Sequence, residues 1–307
     1  MPIQRTEKVW KNGKIIQWSE AGVDIMTHGL HYGTGVFEGI RCYKTAKGPA
    51  IFRGTDHFKR LHESAKMYYM KIPYTAEQLL AAAKQVVKAN GLEDCYLRPI
   101  AFFGFGELAP NVLNCPVETA IVAIKFGSYM AGGKGKGIKC SVVSWRKISP
   151  TMIPVRAKAC GQYLNSVLAV LEARRAGADE AILLNAEGYV AEGSAENIFI
   201  AKDGALLTPP LSAGILPGIT RDSIIKLAEE MKIPVAERNV ARDELYAADE
   251  VFLCGTAGEV IPVREIDGRA VGDGAAPGPL TRKLSERFFA VVSGRDKKHL
   301  NWLEFVK

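Results

Sequence analysis

"EAILLNAEGYVAEGSAENIFIAKDGALLTPP", residues 180–210, reads as successive β-strands joined by glycine turns. Within it, "VAEGSAENIF" (190–199) is a strand that pauses at Gly193-Ser194 and then resumes. Glu192 stands at the pause. A carboxylate on a strand, flanked by small residues, is often turned inward, where it must find a positive or proton-bearing partner. Just downstream, "LPGITRD" (216–222) sets Pro217 and Gly218 before a helix that begins near Thr220. The first backbone N–H groups of that helix, near Ile219 and Thr220, have no partner within it, and such an end binds phosphate. "CGTAGE" (254–259) offers a second small-residue turn, with the Thr256 hydroxyl and further N–H groups.

Upstream lies "VRAKACGQYLNS" (155–166), a lone lysine, Lys158, among small and apolar neighbours. On the surface it would be an ordinary solvated cation. Half-buried, it would lose hydration and approach the range in which a free amine acts as nucleophile or base. Residue type alone does not choose. The helix that follows, "QYLNSVLAVLEARRAG" (162–177), is expected to turn Leu164, Leu168 and Leu171 inward and to close at Gly177. "IKCSVVSW" (138–145) and "DEVFLCGTAGEVIPVREIDG" (249–268) are strand-like, and a final helix, "GPLTRKLSERFFAVVSG" (278–294), is expected to end the fold.

The first part of the chain mixes the same ingredients. "KVWKNGKIIQW" (8–18) is a hairpin around Asn12-Gly13, and "GVFEGIRCYKTAKGPAIFR" (35–53) a second with a longer loop. "DHFKRLHESAKMYYM" (56–70) is helical, with Phe58, Leu61 and Ala65 on one face. "TAEQLLAAAKQVVKANG" (75–91) carries a capping box in Thr75 and Gln78 and a stop at Gly91. Strands over "CYLRPIAFF" (95–103) and "ETAIVAIKF" (118–126) follow; in the first, Tyr96 and Arg98 alternate with Leu97 and share a face. "GSYMAGGKGKG" (127–137) is the clearest break in composition, but it lacks the Gly-Lys-Ser/Thr ending of a phosphate loop. It marks a linker over 126–136, between a small domain (1–125) and a larger one (137–307).

With 307 residues, 48% hydrophobic and 24% charged, the chain has ample material for two domains or one large one. The surplus of Lys+Arg 40 over Asp+Glu 33 is unpatterned. The short basic runs lack interleaved aromatics, which argues against nucleic acid. No stretch approaches the roughly 18 unbroken apolar residues of a membrane span. The six cysteines contain no C-x-x-C pair, as expected of a cytoplasmic protein with reduced thiols. Cys160 is best read as a small packing residue. His28, His31, His57 and His62 have spacings a metal could use, but no converging cysteine or carboxylate set accompanies them, so no metal is expected.

A reactive lysine, an inward acid and a phosphate cradle are what pyridoxal phosphate requires. The segments "HYGTGVFEGIR", "FKRLHESAK", "YLRP", "AKACGQYLNS", "EGSAENIF", "LPGITRD" and "GTAGEVIPV" together closely resemble the branched-chain amino acid aminotransferases, fold-type IV pyridoxal-phosphate enzymes. They occur in the family's order and span nearly the whole chain. The resemblance implies a two-domain α/β (α+β) fold, with a smaller N-terminal domain and a larger C-terminal domain built on a barrel-like sheet.

It also implies a site. Lys158 is the Schiff-base lysine and moves the proton; Glu192 pairs with the ring nitrogen, and Tyr163 hydrogen-bonds the phenolic oxygen. Arg60, with Ile219, Thr220 and Thr256, holds the phosphate. Tyr96, Arg98 and the N–H groups around Thr256 and Ala257 orient the substrate carboxylate. Phe37, Tyr32 and Tyr129 form aromatic walls, Tyr32 coming from a neighbouring subunit. The implied reaction is reversible, ping-pong amino transfer between leucine, isoleucine or valine and 2-oxoglutarate, in a homodimer or a trimer of dimers. Rivals on the same scaffold are transaminases for D-amino acids or R-amines, and aminodeoxychorismate lyase. Phe126 stands where many bacterial members carry tryptophan, and "GELAPNV" (106–112) differs from common enteric versions; both bear on side-chain preference.

Overall fold

The structure is a computed structural model that describes residues 4–125 and 136–307. Phe126, Tyr129 and most of the expected linker lie outside the described residues. The chain divides into two compact units: Met1–Gly127 with Ala157–Gln162 and Ala290–Lys307, and Ser128–Arg156 with Tyr163–Phe289.

In the first unit, β1 (Lys8–Lys11) and β2 (Lys14–Gln17) form the expected hairpin. Asn12 and Gly13 occupy its turn with φ of 47° and 92°, the left-handed pair that matches strand twist. Next come α1 (His28–Tyr32), β3 (Gly35–Phe37), β4 (Ile40–Thr45), β5 (Gly48–Phe52), α2 (Gly54–Met67), α3 (Ala76–Ala89), β6 (Cys95–Phe103) and β7 (Val117–Ile124). The sheet runs β5-β4-β6-β7-β1-β2, with β3 paired to β6 and the C-terminal strand Leu303–Phe305 paired to β5. Phe58, Leu61 and Ala65 of α2 are buried, as their spacing requires, and pack with Leu79, Ala83 and Val87 of α3. The Thr75/Gln78 capping box is formed. The chain does not stop at the last helix. A 3-10 turn over Lys297–Trp302 carries it back to the first unit's sheet, a pairing with residues some 250 positions away that no local signal announces.

In the second unit the order is β8 (Ile138–Arg146), α4 (Tyr163–Arg175), β9 (Glu180–Leu184), β10 (Val190–Gly193), β11 (Asn197–Lys202), β12 (Ala205–Thr208), α5 (Ile219–Glu230), β13 (Val235–Glu237), β14 (Glu250–Gly255), β15 (Glu259–Ile266), β16 (Arg269–Ala270) and α6 (Pro279–Val292). The strands follow the path β10-β9-β8-β15-β14-β11-β12-β13, with β16 on β15. This long mixed sheet is the barrel-like element expected. Phe199 and Phe252 face each other across β11 and β14 with ring centroids 5.0 Å apart. Stacking of that kind adds about 0.5–1.5 kcal/mol to the burial of both rings.

One expected face is reversed. Leu164, Leu168 and Leu171 of α4 are exposed, and the buried residues are Ala169 and Ala173. These alanines pack with Val143, Ala181 and Leu183 of β8 and β9. Residues 168 and 169 are one helical step apart, so either stripe satisfies a 3.6 period. Close approach of helix to sheet selects the small one.

Candidate active site

Backbone alternation places Lys158. Ala157 and Ala159 are buried in the first unit's core, so the lysine side chain leaves the opposite side, half-buried. Its segment is tied down at three points. Lys158 N donates to Ser64 Oγ at 3.0 Å, Phe37 N donates to Lys158 O at 3.0 Å, and Gly161 N donates to Gly33 O at 3.1 Å. Gly33 has φ of +65°, and a Cβ there would stand 2.8 Å from Gly161 Cα. Only glycine permits that approach. Cys160 is mostly buried, its thiol pushed up by burial, in line with a packing role.

Two cations approach the Phe37 ring. Lys158 Nζ is 5.2 Å from its ring centroid, and the Arg98 guanidinium is 4.7 Å from it. Arg98 Nη2 also donates to Tyr96 Oη at 3.2 Å, which shows that the two side chains do share a face of β6. Gly39 makes room for that tyrosine, since a Cβ there would fall 1.9 Å from Tyr96 Oη. Lys158, Phe37, Tyr96 and Arg98 therefore form one continuous cluster.

Arg60 belongs to a second cluster of the same unit, buried between α2 and the β3–β4 connection. Its Nε and Nη2 donate to Glu38 Oε1 and Oε2 at 2.7 and 2.8 Å, and His57 Nδ1 lies 2.7 Å from Oε2. Burial alone would raise the Glu38 carboxyl, but the Arg60 charge and His57 outweigh it and hold it well below the usual carboxylate range. Burial keeps His57 below its ordinary value despite the neighbouring carboxylate. Tyr32 is exposed on α1, its hydroxyl donating to Leu108 O. His28 contacts Thr34 Oγ1 at 2.7 Å and Ala109 O at 2.9 Å.

In the second unit, Glu192 is buried on β10, and the expected pause follows it: Gly193 N closes onto Glu196 O at 2.7 Å before β11 begins. Its partner is Lys147, whose Nζ is 2.6 Å from Oε1. Oε2 accepts from Asn197 Nδ2 and from Leu216 N, each at 3.1 Å. Sequence reasoning named neither Lys147 nor Asn197. The need for a cation was legible in a buried carboxylate; which of the chain's 40 lysines and arginines answers it was not.

Ile219 and Thr220 open α5 and are buried, after Gly218 as N-cap. Their N–H groups precede the first bond of the helix to itself, Asp222 N to Gly218 O. Asn197 spans the gap from β11 to Leu216 O at 3.0 Å, fixing the entry to the helix. Thr256 and Ala257 occupy the turn between β14 and β15, and Tyr163 starts α4. Arg221 is committed elsewhere, to Thr208 Oγ1, Pro209 O and Glu237. A cavity of about 260 Å³ beside Lys147, reached by Asn185, Tyr189 and Asn239, includes none of the expected site residues.

The sequence pattern of amino-transferase class IV matches residues 35–266. This chain is a class IV aminotransferase family member. The branched-chain-amino-acid aminotransferase of Escherichia coli (strain K12) is 44% identical over 308 aligned positions, covering 100% of this chain and 99% of that protein. A crystal structure of the Escherichia coli branched-chain amino acid aminotransferase superposes with a TM-score of 0.96, at 44% identity, over 99% of this chain and 100% of its own. The T.th. branched-chain amino acid aminotransferase, complexed with N-(5′-phosphopyridoxyl)-L-glutamate, gives 0.95 at 45% identity, over 99% and 100%. The class IV aminotransferase fold thus covers both units.

Proposed function

We propose that this chain catalyses reversible transfer of an amino group between the branched-chain L-amino acids leucine, isoleucine and valine and 2-oxoglutarate. The observation that carries the reading is the 44% identity with a branched-chain-amino-acid aminotransferase over 100% of this chain and 99% of that protein. The cofactor is pyridoxal 5′-phosphate, and the adduct bound by the T.th. relative joins a phosphopyridoxyl group to glutamate, the amino form of the proposed acceptor.

The donor set of the chain fits that cofactor. The chain carries a half-buried amine, a buried guanidinium, a buried carboxylate with a fixed hydrogen-bond shell, and a helix N-terminus behind a glycine. When bound, pyridoxal phosphate supplies an aldehyde for amines and a protonated ring that withdraws electrons from the substrate Cα. Lys158 Nζ takes the Cα proton of the amino donor and later returns one, so a single base serves both halves of a ping-pong cycle. Glu192 keeps a proton on the ring nitrogen, and the Tyr163 hydroxyl steadies the phenolic oxygen. Arg60, the N–H groups of Ile219 and Thr220, and the Thr256 hydroxyl hold the phosphate. Tyr96, Arg98 and the N–H groups at Thr256 and Ala257 orient the α-carboxylate, while Phe37 and Tyr129, with Tyr32 of a neighbouring subunit, are the aromatic wall positions.

A homodimer or a trimer of dimers is supported by large apolar side chains exposed on the single chain, among them Ile25, Leu30, Leu108 and Leu113. Among the described residues no helix is long and apolar enough to cross a membrane. Six free cysteines favour a cytoplasmic location. The Arg98–Tyr96 pair favours an α-carboxylate substrate over simple amines.

Purified protein should be yellow, lose that colour with leucine, isoleucine or valine, and regain it with 2-oxoglutarate. Borohydride reduction should leave the cofactor covalently attached at Lys158. Activity on D-alanine, with all three L-donors inert, would replace this reading by its D-amino acid rival.

A further inference from the structure

Glu38 has no place in the reading above, yet it is a carboxylate with 0% exposure in the first unit's core. Taking such a group out of water is costly, and a buried ion pair is often no more stabilising than apolar residues of similar volume. Its surroundings are correspondingly specific. Both oxygens are engaged, Oε1 by Arg60 Nε and Oε2 by Arg60 Nη2 and His57 Nδ1, with Gly39 N a further 3.3 Å contact to Oε2. His57 and Arg60 are three residues apart on α2 and so face Glu38 together.

A two-point contact of this kind fixes the plane and direction of a guanidinium, which otherwise turns about four side-chain bonds. The contact is made along the Nε–Nη2 edge of the guanidinium. The carboxylate balances the charge of Arg60, so an incoming phosphate is met by directed hydrogen bonds more than by net charge. Under those conditions orientation decides affinity.

We propose that Glu38, backed by His57, is a positioning residue that aims the Arg60 guanidinium at the cofactor phosphate. This rests on the reading of Arg60 as a phosphate ligand. Glutamine at 38 cannot do the same work, because its amide presents a donor where Arg60 or His57 also donates.

The test compares the apoproteins of the parent, Glu38→Gln, Glu38→Asp and Arg60→Gln, titrated with pyridoxal 5′-phosphate and with pyridoxal, which lacks the phosphate. Quenching of tryptophan fluorescence reads binding, and thermal melting is recorded in parallel. Glu38→Gln should raise the Kd for pyridoxal phosphate at least tenfold and leave that for pyridoxal within twofold, with Glu38→Asp recovering part of the loss. A lower melting temperature with both Kd values unchanged, or tighter binding of pyridoxal phosphate, would overturn the inference and make Glu38 purely structural. If Arg60→Gln itself shows no phosphate-selective loss, the assignment of Arg60 fails, and the inference with it; a loss there without one in Glu38→Gln sinks the inference alone. Should Glu38→Gln not fold, His57→Gln takes its place: a phosphate-selective loss of at least threefold supports the inference, and equal affinities refute it.

Discussion

The ammonium of Lys147 lies 2.6 Å from the Glu192 carboxylate, at the end of a strand 45 residues earlier in the chain. Both side chains are largely buried, and removing the cation leaves the acid, among the described residues, with Asn197 Nδ2 and Leu216 N. Breaking a pair of this kind from one side costs about 3 kcal/mol, mostly the penalty of a stranded charge. Lys147→Met should therefore lower unfolding stability by about that amount in urea at neutral pH. Combining it with Glu192→Gln should restore part of the loss, because the stranded charge is gone. Equal stability of Lys147→Met and the parent would show that the ammonium does not compensate Glu192.

Gly218 predicts a second effect. A Cβ there would fall 1.9 Å from Asn197 Oδ1, so Gly218→Ala must displace the side chain that donates to both Glu192 and Leu216 O. Two lost hydrogen bonds and the accompanying strain should cost about 2–3 kcal/mol by thermal or chemical unfolding. Gly22 is the control: nothing lies within 4 Å of its Cβ position, and its backbone is not left-handed, so Gly22→Ala should be neutral or slightly stabilising.

Acid sensitivity follows from the Glu38 cluster. Both folded-state values are depressed, His57 below 6.5 and Glu38 below 4.5. In each case the unfolded chain takes up its proton first as pH falls, so stability is full above those values and declines below them. Denaturant midpoints should drop from about pH 6.5 downward and more steeply below about 4.5. His57→Gln should flatten the upper part of that profile while leaving the lower limb. A profile of His57→Gln that superposes on the parent between pH 7 and 5 would remove His57 from this account.

The reversed face of α4 gives an ordering that a reader of the sequence alone would predict the other way round. Ala169 is fully buried against β8 and β9, whereas Leu168 is exposed. Ala169→Leu should be destabilising by about 1–3 kcal/mol through overpacking, while Leu168→Ala should cost well under 1 kcal/mol in the folded subunit. Matched urea titrations decide between them.

Local chemistry made much of this protein readable. The Asn12-Gly13 hairpin, the Thr75 capping box, the buried stripe of α2 and the shared face of Tyr96 and Arg98 all depend on residues within a few positions of one another. Backbone sterics and periodicity act over that range, so each could be read from its own window. The order of the motif segments carried the family.

What only the tertiary structure decided is which distant groups answer each other. Lys147 for Glu192, Glu38 and His57 for Arg60, and the return of Leu303–Phe305 to β5 are pairings between segments whose separation leaves no periodic trace. The outward leucines of α4 belong here too, since a helix with two apolar stripes takes its buried face from the sheet it meets. A sequence states that a buried charge needs a partner, because desolvation is a property of the group itself; the identity of that partner is set by where the folded backbone carries the rest of the chain.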